Sequence, residues 1–171
     1  SSSSKKSLTS AVKAYEETLD AEDWKSTHSV TLVGGNAESG EKVFRENQTV
    51  QCMRCHMAGG SGGEVGPVLD GIGSKYSRMQ ILESIAAPNS VIADGYETVI
   101  VETLEGVFAG TIAEENDDVL IINTPDEGPV EIDKAMIDSR ERGPSGMPGM
   151  LHLAISKKEL RDLVEFLSSL K

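Results

Sequence analysis

The chain has 171 residues, enough for one domain or one domain with an insertion. Its net charge of −12 argues against nucleic acid or an anionic membrane as a partner and suits proteins with basic surfaces. No run is long and apolar enough to span a membrane, no signal peptide is recognisable, and one Trp, three Tyr and three Phe leave few large rings for a core.

The chain begins Ser1-Ser2-Ser3-Ser4-Lys5-Lys6, which reads as a linker or a trimmed end. Leu8, Val12, Tyr15 and Leu19 then recur at helical spacing. They predict a helix ending near Trp24 and packed against the main body. His28 follows in a polar stretch and is expected to face solvent. Asn36 is a plausible N-cap, with Glu38 in the first turn to suit the helix dipole, so a helix is predicted to about Asn47. Gly40 and Phe44 share one face of it. An interior helical glycine costs about 1 kcal/mol against alanine, which predicts another helix in close approach at Gly40.

Both cysteines lie in Cys52-Met53-Arg54-Cys55-His56. C-x-x-C-H reads as a c-type haem attachment site. On a helical turn, residues three apart share a face, so two thiols can each join one haem vinyl group. His56 would then stand beneath the iron as an axial ligand. The rival readings fit less well. A thioredoxin-like redox pair wants a βαβ context, which is missing. A structural zinc site needs four Cys or His ligands, and only His28 and His152 remain, without zinc-finger spacing. An iron–sulfur cluster needs about four cysteines. A disulfide across two intervening residues would be strained and would leave His56 without a purpose. A buried porphyrin would also supply apolar bulk that the composition lacks. Covalent haem attachment normally happens outside the cytoplasm, so a periplasmic or otherwise exported protein is expected, with a signal or a larger protein upstream.

Gly59-Gly60-Ser61-Gly62-Gly63 and Gly66-Pro67 form a flexible loop that lets backbone lie close to something flat or bulky. A phosphate-cradling loop is a weak reading, with no preceding strand and no closing Gly-Lys-Ser/Thr. Ser77 and Gln80 make a capping box for a helix whose inner face would be Met79, Leu82 and Ile85, ending at Pro88. Strand character follows: residues 96–103, then Phe108, Gly110 and Ile112, residues 119–123, residues 130–132 and a short fifth piece at 136–138. Glu105-Gly106, Asn116-Asp117-Asp118 and Pro125-Asp126-Glu127-Gly128 supply the turns. This predicts a small antiparallel sheet or barrel. Half of the acidic residues lie between Asp94 and Glu141. They read first as a solvated face and second as a docking surface. Ser156 and Glu159 cap a last helix striped by Leu160, Leu163, Val164, Leu167 and Leu170, with Phe166 just off centre.

The sixth iron ligand is sought in Gly143-Pro144-Ser145-Gly146-Met147-Pro148-Gly149-Met150. Two methionines in a Gly/Pro loop do not follow a core period. A thioether suits haem iron, and Met/His ligation raises the reduction potential. Pro148 would hold Met147 in one pose. Met147 is the first candidate and Met150 the second, with His152 or an open position after them.

These residues resemble class I cytochrome c domains over roughly residues 36–94 and 143–171. Gly40 and Phe44 look like the family's first-helix pair, and Leu163 and Phe166 like their last-helix partners. Gly66-Pro67-Val68-Leu69-Asp70-Gly71 is similar to the family's Gly-Pro-x-Leu-x-Gly segment. The resemblance implies that the Pro67 carbonyl accepts a hydrogen bond from His56, orienting it. Met147-Pro148 looks like the family's axial methionine. The sheet departs from ordinary small cytochromes c. It looks more like the haem-binding domain found in planctomycetes and verrucomicrobia, often at the C-terminal end of large exported proteins. The stretch from Ala14-Tyr15-Glu16 to Gly34-Gly35-Asn36-Ala37-Glu38 resembles the approach to that domain.

The expected fold is therefore a mainly α cytochrome c-type helical fold enclosing haem, with an inserted antiparallel sheet or barrel, α+β overall. The expected division is an N-terminal linker and helix at 1–35, a haem domain at 36–94 and 143–171, and a β subdomain at 95–142. The expected function is one-electron transfer through one haem c held by Cys52 and Cys55, with His56 and Met147 on the iron. The expected partner is a redox protein or dehydrogenase domain with a basic docking surface. A ligand-binding or sensor haem would need a weak or absent sixth ligand. A peroxidase-type enzyme would need a distal His or Arg, and none is placed convincingly. The sheet could instead be an interaction module with the haem unit as passenger.

Overall fold

A computed structural model describes residues 2–124 and 127–171. Ser1 and the Pro125-Asp126 part of the third predicted turn lie outside the described residues.

The first helix, α1 (Ser2–Glu16), takes in Ser2 to Lys6, which the sequence reads as linker. It is shorter at its other end than predicted. The Thr18 hydroxyl donates to the Tyr15 carbonyl at 2.6 Å, and Asp23 caps a separate short helix, α2 (Trp24–His28), through Lys25 and Ser26 N–H groups. The predicted packing of its apolar stripe is not found: Leu8, Val12 and Tyr15 are exposed and only Leu19 is half-buried. Periodicity encodes the helix but not what the helix meets.

His28 is a second correction. It is buried at 6 % exposure, because α2 runs straight into a 3-10 turn, Ser29–Leu32, that packs against the last helix. Its ring stands edge-on to His152, with centroids 4.9 Å apart.

The helix α3 (Ala37–Glu46) starts at Asn36 as predicted, with the Asn36 side chain accepting from Ser39 N–H. It crosses α7 (Lys157–Ser169), which is closed at its start by the Ser156/Glu159 capping box. A Cβ on Gly40 would run into the Asp162 carbonyl and come within 2.8 Å of the Phe166 Cβ. Glycine is therefore required by the crossing. One turn on, the Phe44 and Phe166 rings meet with centroids 5.6 Å apart. Buried Asp162 ties the crossing together: its carboxylate accepts from Asn36 N–H at 2.9 Å and from Lys158 Nζ at 2.8 Å. Burial works against its charge, but these two donors hold its pKa below the ordinary value.

A one-turn helix, α4 (Cys52–Cys55), leads into a two-stranded hairpin of β1 (Met57–Ala58) and β2 (Ser61–Gly62), where the sequence reads only flexible loop. A short helix, α5 (Ile72–Lys75), was not predicted; Gly73 N–H donates to the Leu170 carbonyl, so it docks on the end of α7. The helix α6 (Arg78–Ala86) has the predicted Ser77/Gln80 box. Its inner face is Ile81, Leu82 and Ile85; Met79 lies on the exposed side, one residue out of the buried register. Arg78 donates two hydrogen bonds to Glu165, at 2.6 and 2.7 Å, and a third to the Leu32 carbonyl, tying α6, α7 and the 3-10 turn.

The remaining strands are β3 (Thr98–Thr103), β4 (Gly106–Glu115), β5 (Val119–Thr124), β6 (Gly128–Asp133) and β7 (Ile137–Arg142). They form one antiparallel sheet in the order β6-β5-β4-β3-β7. Val99, Val101, Leu120, Ile122 and Ile132 make its own buried cluster, separate from that of the helices. The fifth strand is six residues long, not a short piece at 136–138, and Met136 sits in a 3-10 turn before it. Its Asp-Ser-Arg-Glu-Arg sequence hides the strand because it is an edge, where charges are favoured over apolar alternation.

The sheet is curled. Arg140 lies opposite Val101, and Val101 opposite Phe108, seven residues along β4 from Glu115. In a flat sheet that offset is roughly 23 Å. Yet Arg140 donates to Glu115 at 2.7 and 3.0 Å, and Lys134 pairs with it at 2.8 Å. A register shift between Ile112 and Glu114 marks where β4 bends.

Candidate haem site

The cysteine pair is presented by α4. Gln51 before it takes a left-handed backbone, φ 44°, and the helix closes when His56 N–H donates to the Cys52 carbonyl at 3.0 Å. His56 leaves the helix in an extended conformation, so its ring departs from the helical turn. Both thiols are free. Burial pushes the Cys52 thiol up to about 11, so it stays protonated near neutrality.

His56 Nδ1 lies 2.8 Å from the Pro67 carbonyl oxygen. A carbonyl can only accept, so Nδ1 carries a proton, and in the neutral ring the lone pair is on Nε2. Gly66 makes this approach possible: a Cβ there would lie 2.7 Å from the ring Cε1. The segment is zipped to the motif by Gly66 N–H to the Cys55 carbonyl and Leu69 N–H to the Met57 carbonyl, each 2.8 Å.

His56, Cys52 and Met147 open onto one apolar cavity in the helical core. Phe44, Leu69, Ile81, Leu163 and Leu167 are among its walls, from three helices and the Gly-Pro segment. Residues from opposite ends of the sequence, 91 apart in the case of His56 and Met147, thus share one apolar space. Cys55 closes the same helical turn as Cys52 without lining the cavity, and Pro67 acts from behind the His56 ring. Met150 is exposed, with φ 62°, and His152 is buried against His28; neither lines the cavity. Among the described residues no group of three or more His, Cys, Asp or Glu is placed to hold a metal ion.

Sequence reasoning missed Ile81, Leu151 and Ile155 as cavity walls and three residues that hold the methionine loop. Those are Asn89, which accepts from Ser145 N–H; Ser145, whose hydroxyl accepts from Met147 N–H; and Thr98, which bonds Pro144. The only sequence signal for them was their polarity beside Pro88, the start of β3 and the Gly/Pro loop.

The family model described as Cytochrome c matches residues 37–97. The match takes in α3, the C-x-x-C-H motif, the Gly-Pro segment and α6, and ends at the edge of the sheet. It supports a cytochrome c domain and, with it, a haem-binding electron-transfer protein. No curated protein matches the chain. The match spans little more than a third of the chain; the fold as a whole joins a helical region to a five-stranded antiparallel sheet, α+β as predicted.

Proposed function

We propose that this protein carries single electrons through one haem c, tethered by Cys52 and Cys55 and ligated by His56 and Met147. The observation that carries the reading is one apolar cavity reached by Cys52, by His56 with its Nδ1 already committed to Pro67, and by Met147. Protein interiors are otherwise close-packed, and an apolar cavity lined by both candidate ligands and one of the two cysteines suits a flat apolar group. When bound, the haem iron supplies the one-electron redox chemistry.

The chain's residues do the rest. Pro67 holds the His56 ring through Nδ1, which leaves Nε2 as the atom that would ligate the iron. The aliphatic walls exclude water, and a Met147 thioether joining the His56 imidazole as ligand would favour the reduced form. Two firmly held ligands change little between oxidation states. The acidic surface between Asp94 and Glu141 speeds docking of a basic redox partner or dehydrogenase domain. We read residues 36–94 and 143–171 as the haem domain, 95–142 as an insertion, and the whole as part of a larger exported protein of the planctomycete and verrucomicrobial type.

The test is spectroscopic. Haem should stay with the polypeptide on denaturation and be lost from a Cys52→Ser/Cys55→Ser variant. The ferric protein should show the thioether-to-iron charge-transfer band, abolished by Met147→Ala and retained by Met150→Ala. The reduced protein should resist carbon monoxide. Ready carbon monoxide binding would remove Met147 from the iron and assign a ligand-binding haem instead. Reduction by a basic donor should slow as salt rises; a flat response would reject acidic docking.

A further inference from the structure

We propose that Thr98 and Asn89 are positioning residues for Met147, and that the sheet serves to clamp the methionine loop onto the cavity. The inference rests on the reading of Met147 as an iron ligand.

The loop has no ladder of its own, so its polar backbone groups must be met from elsewhere. Two places meet them. Where β7 leaves the sheet, Gly143 N–H donates to the Thr98 carbonyl at 2.8 Å, and the Thr98 hydroxyl donates to the Pro144 carbonyl. On the other side, Ser145 N–H donates to Asn89 Oδ1 at 2.7 Å. The Ser145 hydroxyl then accepts from Met147 N–H at 3.1 Å, passing the constraint to the methionine itself.

The two anchors belong to the two halves of the molecule. Thr98 opens β3, whose Val99 and Val101 are in the sheet core. Asn89 follows buried Pro88 just beyond α6, whose Ile81, Ser84 and Ile85 line the cavity. The loop is thus suspended between a rigid sheet and the cavity wall. A methionine side chain turns about three soft bonds, so its backbone anchor largely decides where the sulfur can dwell.

Losing one such hydrogen bond shifts an equilibrium by about two- to tenfold. Here the equilibrium is sulfur on the iron against sulfur off. Carbon monoxide binds only the second form, so its apparent affinity rises with that population. The experiment compares haem-loaded wild type with Asn89→Ala and Thr98→Val, alone and together. Each single variant should weaken the thioether-to-iron band and raise carbon monoxide affinity about two- to tenfold, and the pair more. Asn89→Asp, which keeps the acceptor, and Thr98→Ser, which keeps the donor, should restore both readouts. Ser139→Ala removes a comparable hydroxyl bond, to Glu102 on the sheet, and should change neither. If wild type shows the band and both Asn89→Ala and Thr98→Val leave band and affinity unchanged, the clamp is wrong while the ligation stands. If wild type lacks the band and binds carbon monoxide readily, Met147 ligation fails and the clamp with it.

Discussion

The helical region and the sheet bury their apolar residues in opposite ways. The sheet closes on itself: five aliphatic side chains fill its core, and Glu115 latches the curl through Arg140 and Lys134. The helices pack around α7, most tightly at the Gly40 crossing, and leave an apolar cavity beside it. One region is complete as a polypeptide, and the other is shaped to surround something. The difference teaches that hydrophobic content alone does not tell a core from a container. What tells them apart is whether the side chains meet.

The hardest blow to this contrast is Gly40→Val. The new Cβ collides with main-chain atoms of α7, which cannot yield as a side chain can. A loss of about 3 kcal/mol or more is expected for the helical region. The sole tryptophan, Trp24, packs on the helical core and reports its urea unfolding. Hydrogen exchange in β5 should remain slow in the same variant. If β5 loses protection in step with Trp24, the two regions are one cooperative unit.

A milder cut is Asp162→Ala, which strips Asn36 N–H and Lys158 of their partner. About 1–3 kcal/mol should disappear from the Trp24-monitored transition. Asp162→Asn keeps an acceptor for Asn36 and should recover part of it; equal losses in the two variants would show that the carboxylate charge, not the cap, matters.

Acid should separate the regions by smaller amounts. Burial lowers the pKa of both His28 and His152, and His28 is lowered further by His152 and Lys157. A lowered histidine pKa means the unfolded chain binds more protons. Helical stability is therefore full above about pH 6.5 and falls as pH drops towards the folded values. In the sheet, hydrogen bonds from Arg140 and then Lys134 bring Glu115 down to about 2 from 4.5. That contribution is full above pH 4.5 and is lost only as pH approaches 2. The Trp24 urea midpoint should thus decline between pH 7 and 5.5 while exchange-derived stability of β5 stays level. A Trp24 midpoint that is flat over this range would refute the buried-histidine cause. At neutral pH, Glu115→Gln should cost the sheet under about 1 kcal/mol, since the pair is largely exposed.

Local signals in the sequence were read well where the physics is local. The Asn36, Ser77 and Ser156 caps start helices where a side-chain oxygen meets an orphan N–H within three residues. The Val-, Ile- and Thr-rich run of β3 and the apolar run of β5 mark two strands, and the pleat buries alternate residues of each. Misreadings came where the partner is distant. His28 looked exposed because its neighbours are polar, and it is buried by His152, 124 residues away. The α1 stripe looked like a packing face and is open. The edge strand β7 carried no apolar pattern at all.

By itself, the sequence determined the chemistry on offer: two thiols and an imidazole within five residues, a glycine whose cost demanded a close crossing, and a methionine in a Gly/Pro loop. Only the tertiary structure decided which of them meet. It brought His56 and Met147 to one cavity, sent Met150 to solvent and buried His152 elsewhere. The reason is physical. Helix caps and motif spacing are fixed by atoms a few bonds apart. The methionine loop takes its position from Thr98 and Asn89, held by hydrogen bonds that no local pattern records.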